Sequence, residues 1–183
     1  MKRLAIVFPG IGYHKDKPLL YYSTKLAQAK GYEIIHIEYH DLPAKVKGDA
    51  VMMKKAAEIA CEQTEEQLKD IPFDEYDDIL MIGKSIGTVV GAKFASNHAL
   101  QARQLWYTPV EATFLFTAET PVIAFIGESD PWSDLTTVKS LAVKNEIPLF
   151  TYPGANHSLE TGDALTDIAT LKDVMERTDG FIG

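Results

Sequence analysis

The stretch Gly83-Lys84-Ser85-Ile86-Gly87 could do chemistry in two ways. Gly-Lys-Ser ends a phosphate-binding loop, in which backbone amides cradle a nucleotide. G-x-S-x-G is a sharp turn that presents a nucleophilic serine. The phosphate loop requires its first glycine at position 78, where this chain has Asp78. The residues between, Ile79-Leu80-Met81-Ile82, are strand-like, and a carboxylate at 78 repels phosphate. Position and charge therefore favour the serine turn. Its two glycines remove side chains that would collide in so tight a bend.

A serine hydroxyl is a poor nucleophile without a base, and the base needs an orienting group. The chain has five histidines. His157, in Gly154-Ala155-Asn156-His157-Ser158 after the last strand-like run, is the candidate base. His14 follows the first strand, where it could touch substrate or be a solvated loop residue. His36 and His40 alternate with apolar residues and suit structural roles, and His98 lies beyond the turn's helix. Asp130, in Gly127-Glu128-Ser129-Asp130-Pro131, is the candidate acid, and an Asp-Pro turn is its structural alternative. Glu128 is a close rival and Glu111 a weaker one, whereas Asp134 suits the first turn of a helix. An oxyanion would need preorganised amides. Ile86 after the serine supplies one, and Gly10 or Ile11 in the loop Phe8-Pro9-Gly10-Ile11-Gly12-Tyr13 supplies the other.

These residues need a scaffold that brings them to one edge. Apolar strand-like runs at 4–8, 32–39, 78–82, 103–108, 121–127 and 148–154 alternate with helical patterns at 18–30, 50–69, 85–97, 133–145 and 163–178. Met52, Ala56, Ile59 and Ala60 share one helical face, and Leu165, Ile168, Leu171 and Met175 another. Strand–helix alternation predicts one α/β domain over 1–183, with parallel strands and helices on both faces. In such sheets the working loops lie at the carboxyl ends of the strands. Ser85, Asp130, His157 and the Gly10–Ile11 loop each follow a strand-like run.

The net charge of −8 argues against nucleic acid as a partner. A single cysteine, Cys61 in a helical stretch, precludes an internal disulfide and suits a reducing compartment. The start Met1-Lys2-Arg3 with its short apolar run reads as a strand rather than a signal peptide, because Pro9-Gly10 breaks it. No run is long enough for a membrane span, so a cytoplasmic protein is expected. The scattered His and carboxylates show no metal-ligand spacing, and no cofactor is expected.

Ser85, Asp130 and His157 occur in the order Ser…Asp…His, each after a strand, with Pro9-Gly10-Ile11-Gly12 after the first. In these four motifs the chain resembles a small, lid-less member of the α/β-hydrolase superfamily. The resemblance implies a reduced fold of about six parallel strands in the order 2-1-3-4-5-6 without a cap domain. It implies Ser85 as nucleophile, His157 as base, Asp130 rather than Glu128 as acid, and Ile86 with Ile11 at the oxyanion hole. It also implies hydrolysis of a small carboxylic ester or thioester; acyl transfer and a catalytically silent binding module are the alternatives. Two departures stand out. Pro9-Gly10 replaces the family's frequent His-Gly, and residues 108–120 leave no room for a lid. Tyr107, Thr108 and Trp132, at the same edge, are candidates to wall the substrate pocket.

Overall fold

The structure, a computed structural model, describes residues 1–43, 46–116 and 120–183. The strands, in chain order, are β1 (Arg3–Phe8), β2 (Tyr32–His36), β3 (Asp78–Lys84), β4 (Ala102–Tyr107), β5 (Val122–Gly127) and β6 (Leu149–Tyr152). They form one parallel sheet in the order β2-β1-β3-β4-β5-β6. Between them run the helices α1 (Pro18–Ala29), α2 (Ala50–Leu68), α3 (Ile86–Asn97) and α4 (Leu135–Lys144), with α5 (Ala164–Ile182) last.

The strands are apolar on both sides because both sides are covered. Ala5, Val7, Leu80, Ile82 and Phe125 pack with α1 and α5. Leu4, Ile6, Phe8 and Met81 pack with α2 and α3. Helix starts follow local chemistry: Pro18 opens α1, and Asp49, Asp134 and Asp163 cap α2, α4 and α5 by accepting amide hydrogen bonds. The order in which strands are added to the sheet reverses between β1 and β3, so the loops after these parallel strands meet in the crevice at the switch point.

Several boundaries differ from those expected. β2 stops at His36 rather than 39, because it is an edge strand whose partner β1 ends at Phe8. Its ladder closes with the Ile37 amide on the Val7 carbonyl at 2.9 Å. β3 runs on to Lys84, held by pairing with Tyr107 of β4. Short 3-10 turns at Phe73–Glu75 and Glu111–Phe116 were not expected. On α2 the buried row is Ala56, Ala60, Thr64 and Leu68, with Met52 and Ile59 only half-buried. The apolar face expected for α5 is corrected as well. Leu165 and Ile168 are 78% and 62% exposed, and Val174, Thr178 and Ile182 are buried instead. Only residues from Leu171 onward join the core formed with α1 and the sheet.

Candidate active site

Ser85 sits between β3 and α3 with φ 55° and ψ −122°, a backbone conformation that side chains disfavour by about 1–3 kcal/mol. Close packing holds it there. A Cβ at Gly87 would lie 2.2 Å from the Phe8 carbonyl oxygen, and one at Gly83 would lie 2.8 Å from the Thr88 Cα. The Ser85 amide donates to the Tyr107 carbonyl at 2.9 Å, and the Thr88 hydroxyl donates to the Ser85 carbonyl at 2.7 Å. The turn is thus pinned from both sides.

The loops after β5 and β6 are joined at the same edge. The Ser129 amide donates to the Ala155 carbonyl at 2.9 Å. A Cβ at Gly127 would come within 2.2 Å of that carbonyl oxygen, so glycine is what lets the loops touch. Their contact brings three side chains into line. His157 Nε2 lies 2.8 Å from Ser85 Oγ, and His157 Nδ1 lies 2.7 Å from Asp130 Oδ2. A proton on Nδ1 satisfies both bonds: Nδ1–H donates to Asp130, and Nε2 accepts from the serine. The Asp130 side chain is 1% exposed, and its other oxygen accepts the Trp132 amide at 2.8 Å. Burial lowers the His157 pKa below the ordinary imidazole value; the bond to Asp130 works in the opposite direction.

The rivals are occupied elsewhere. Glu128 faces Lys139 at 3.5 Å, and Glu111 accepts the Asp134 amide at 2.6 Å. His98 pairs with Glu65 at 2.8 Å, and His14 lies 3.5 Å from Asp16. His36 is half-buried, and burial lowers its pKa. His14 and His40 line a groove of about 450 Å³ beside Gly10 and Ile11.

Gly10 packs directly on the turn, where an added Cβ would be 3.3 Å from Ser85 Cβ. Its amide, however, donates to the Tyr13 carbonyl at 3.1 Å. Gly10 as an oxyanion donor is corrected on that ground. Among the described residues the amides of Ile11 and Ile86 have no such turn or loop acceptor.

Two of the three candidate pocket residues are also corrected. Tyr107 is fully buried, and its hydroxyl bonds Ser23 and Thr178, each at 2.7 Å. As the last residue of β4 it points toward α1 and α5, and only its carbonyl serves the turn. Thr108 is fully buried too, with φ 46° and its amide on the Phe125 carbonyl at 2.7 Å. Trp132 is different. Its ring stacks on His157, with centroids 5.4 Å apart and planes 28° apart. With Ile86 it also borders a cavity of about 740 Å³ between α2 and α3.

Lys84 also stands at the site, which its place in the Gly-Lys-Ser stretch did not reveal. It is fully buried, its Nζ has no hydrogen-bond partner among the described residues, and it stands 4.9 Å from the centre of the Tyr13 ring. Burial pushes its pKa down to about 7, against the attraction of Asp130. When charged, it in turn lowers the pKa of His157. The available cue was position: the end of an apolar strand beside the serine is a costly place for an amine.

No protein-family model matches the chain, and no curated protein does. Solved structures do match. An α/β serine hydrolase homologue from Coxiella burnetii is 15% identical, with a TM-score of 0.72 over 100% of this chain and 85% of its own. An α/β serine hydrolase without a lid from Xanthomonas campestris is 13% identical, with a TM-score of 0.69 over 98% of this chain and 80% of that one. The chain has the lid-less α/β-hydrolase fold. An esterase from Pyrococcus furiosus is similar to it as well, at 14% identity and a TM-score of 0.67, over 100% of this chain and 84% of the esterase. At such identities the likeness speaks for the fold; the chemistry must be argued from this chain's own residues. Among the described residues no helix is long and apolar enough to cross a membrane, and no three His, Cys, Asp or Glu side chains cluster as a metal site would require.

Proposed function

We propose that this protein is a serine hydrolase that cleaves a carboxylic ester or thioester through an acyl-enzyme on Ser85. The observation that carries the proposal is His157, hydrogen-bonded to Ser85 Oγ at 2.8 Å on one side and to Asp130 at 2.7 Å on the other. A structural histidine needs no such bridge between a strained serine and a buried carboxylate.

Ser85 Oγ attacks the carbonyl carbon while its proton passes to His157 Nε2. Burial disfavours the imidazolium, which keeps His157 neutral and able to accept that proton. Asp130 then stabilises the imidazolium as it forms. The amides of Ile86 and Ile11 receive the oxyanion, each worth roughly 10²–10³ in rate. Ile86 is the first residue of α3, where the helix dipole adds to the effect. The proton on Nε2 goes to the leaving alcohol or thiol as its bond to the carbonyl carbon breaks. Water, deprotonated by the same His157, releases the acid and restores the Ser85 hydroxyl. No cofactor takes part. The esterase among the structural neighbours supports the reading.

The test is a fluorophosphonate probe followed by intact mass, on the wild type and on Ser85→Ala. One adduct on the wild type and none on the variant is the expected result. A folded wild type that takes no adduct would overturn the proposal and leave a binding module in its place.

A further inference from the structure

The cavity beside Ser85 is bordered by three lysines, Lys47, Lys54 and Lys93, and three carboxylates, Asp49, Glu58 and Glu111, on a chain whose net charge is −8. Two of its walls are helical faces, Met53, Ala57 and Cys61 on α2 and Ile86, Val89 and Lys93 on α3, and the turn at 110–116 with Trp132 closes another side. Ile86 adjoins the nucleophile, and Lys93 lies seven residues further along the same helix. At a rise of 1.5 Å per residue, that puts Lys93 about 10 Å from the turn. The α3 wall of the cavity thus begins at the residue after Ser85 and reaches Lys93 two turns further on.

The charges that border the cavity sort into two groups. The carboxylates are already engaged. Asp49 accepts the Met52 amide at 2.9 Å, Glu58 faces Lys54 at 3.9 Å, and Glu111 accepts the Asp134 amide at 2.6 Å. Lys47 and Lys93 form no ion pair or hydrogen bond among the described residues. Lys47 stands near the mouth, 5.6 Å from the centre of the Trp132 ring. Lys93 is half-buried and close enough to the Cys61 thiol to oppose the burial that raises its pKa, while Glu65, Glu62 and Glu58 reinforce that rise. Two unpaired cations in an apolar cavity, on a chain of net charge −8, are placed to receive a negative charge.

We infer that the cavity binds the acyl part of the substrate, and that this acyl part is an apolar chain bearing a carboxylate at its far end, received by Lys93. The inference rests on the hydrolase reading and adds the substrate class. Lys93 is then the specificity-determining residue, and Lys47 assists at the entrance.

The experiment compares two aryl esters of equal chain length: p-nitrophenyl octanoate and the mono-p-nitrophenyl ester of octanedioic acid. Within each variant, only the ratio of the two kcat/KM values is read. Wild type is expected to favour the anionic ester by roughly tenfold or more, the usual scale of a charged hydrogen bond. Lys93→Met is expected to bring the ratio to one or below, and Lys93→Arg to restore it. A wild-type ratio of one or less, or a preference that Lys93→Met keeps, would overturn the inference while leaving the hydrolase standing. Calorimetry of monoethyl octanedioate and ethyl octanoate on Ser85→Ala separates binding from turnover. Tighter binding of the anion there, lost with Lys93→Met, supports the site even if no ester is cleaved; equal binding rejects it.

Discussion

The two ends of the sheet each hold a cation, half-buried at one end and fully buried at the other, and they treat it differently. At the amino end, Arg103 of β4 meets Asp78 of β3 at 2.8 and 3.3 Å. It also donates to the carbonyls of Phe181 at 2.7 Å and Ile182 at 3.2 Å, which ties the end of α5 to the sheet. Tyr32 bonds both Arg103 and Asp78, and Arg3 adds a further cation at 3.8 Å from Asp78. At the carboxyl end, Lys84 is fully buried with no hydrogen-bond partner among the described residues; it has the face of Tyr13 at 4.9 Å and the attraction of Asp130, but no ion pair. The serine next to it is held in a conformation that costs energy. One end satisfies its polar groups and stabilises the fold. The other leaves strain and an unsolvated amine in place, a pattern found where chemistry rather than stability sets the residues.

Removing a group from either end should therefore have opposite consequences. The largest effect belongs to His157→Gln. On the proposed reaction, kcat/KM for an activated ester should fall on the order of 10⁴-fold, with Tm nearly unchanged. A loss under about tenfold would place the base elsewhere. Arg103→Met should do the reverse. Asp78 loses its main cation, and stability should drop by about 2–3 kcal/mol, or roughly 5–10 °C in Tm by calorimetry. Activity at 25 °C should stay within about twofold, because the two ends share no partners. A variant that keeps its Tm would show that the amino-end network is ornamental.

Lys84→Met joins the two behaviours in one residue. The folded pKa of Lys84, about 7, lies below its unfolded value of 10.5. Between those values the unfolded chain binds more protons, so this group makes wild-type stability rise with pH across that window. The variant should lose that slope and, at neutral pH, gain on the order of 3 kcal/mol. The same substitution removes a charge that lowers the His157 pKa. The acid limb of kcat/KM should then move to higher pH, which a merely structural role would not produce. Thermal melts across pH and a rate profile check both parts. The smallest effect is expected at Leu165→Glu, since that side chain is 78% exposed: a change within about 0.5 kcal/mol. A larger loss would mean that the first turns of α5 are covered by something in solution.

Much of this was legible in the chain. Strand and helix positions follow hydrophobic period, which is local, and the six-stranded order was implied by the resemblance to α/β hydrolases. Ser85, Asp130 and His157 could be picked out because each closes or follows a strand, and parallel strands deliver such loops to one edge. Depth and direction were not legible. Tyr107 and Trp132 are both aromatics at that edge, yet Tyr107 points into the core and Trp132 stacks on His157. The apolar spacing of Leu165 and Ile168 could not tell where α5 outruns the surface it covers. Nor could it show that the Gly10 amide is taken by Tyr13, or that Lys84 is left without a partner. Periodicity and turn chemistry arise between near neighbours and can be read along the chain. Burial, hydrogen-bond partners and pKa depend on residues far apart in sequence, and only the closed sheet with its packed helices brings those together.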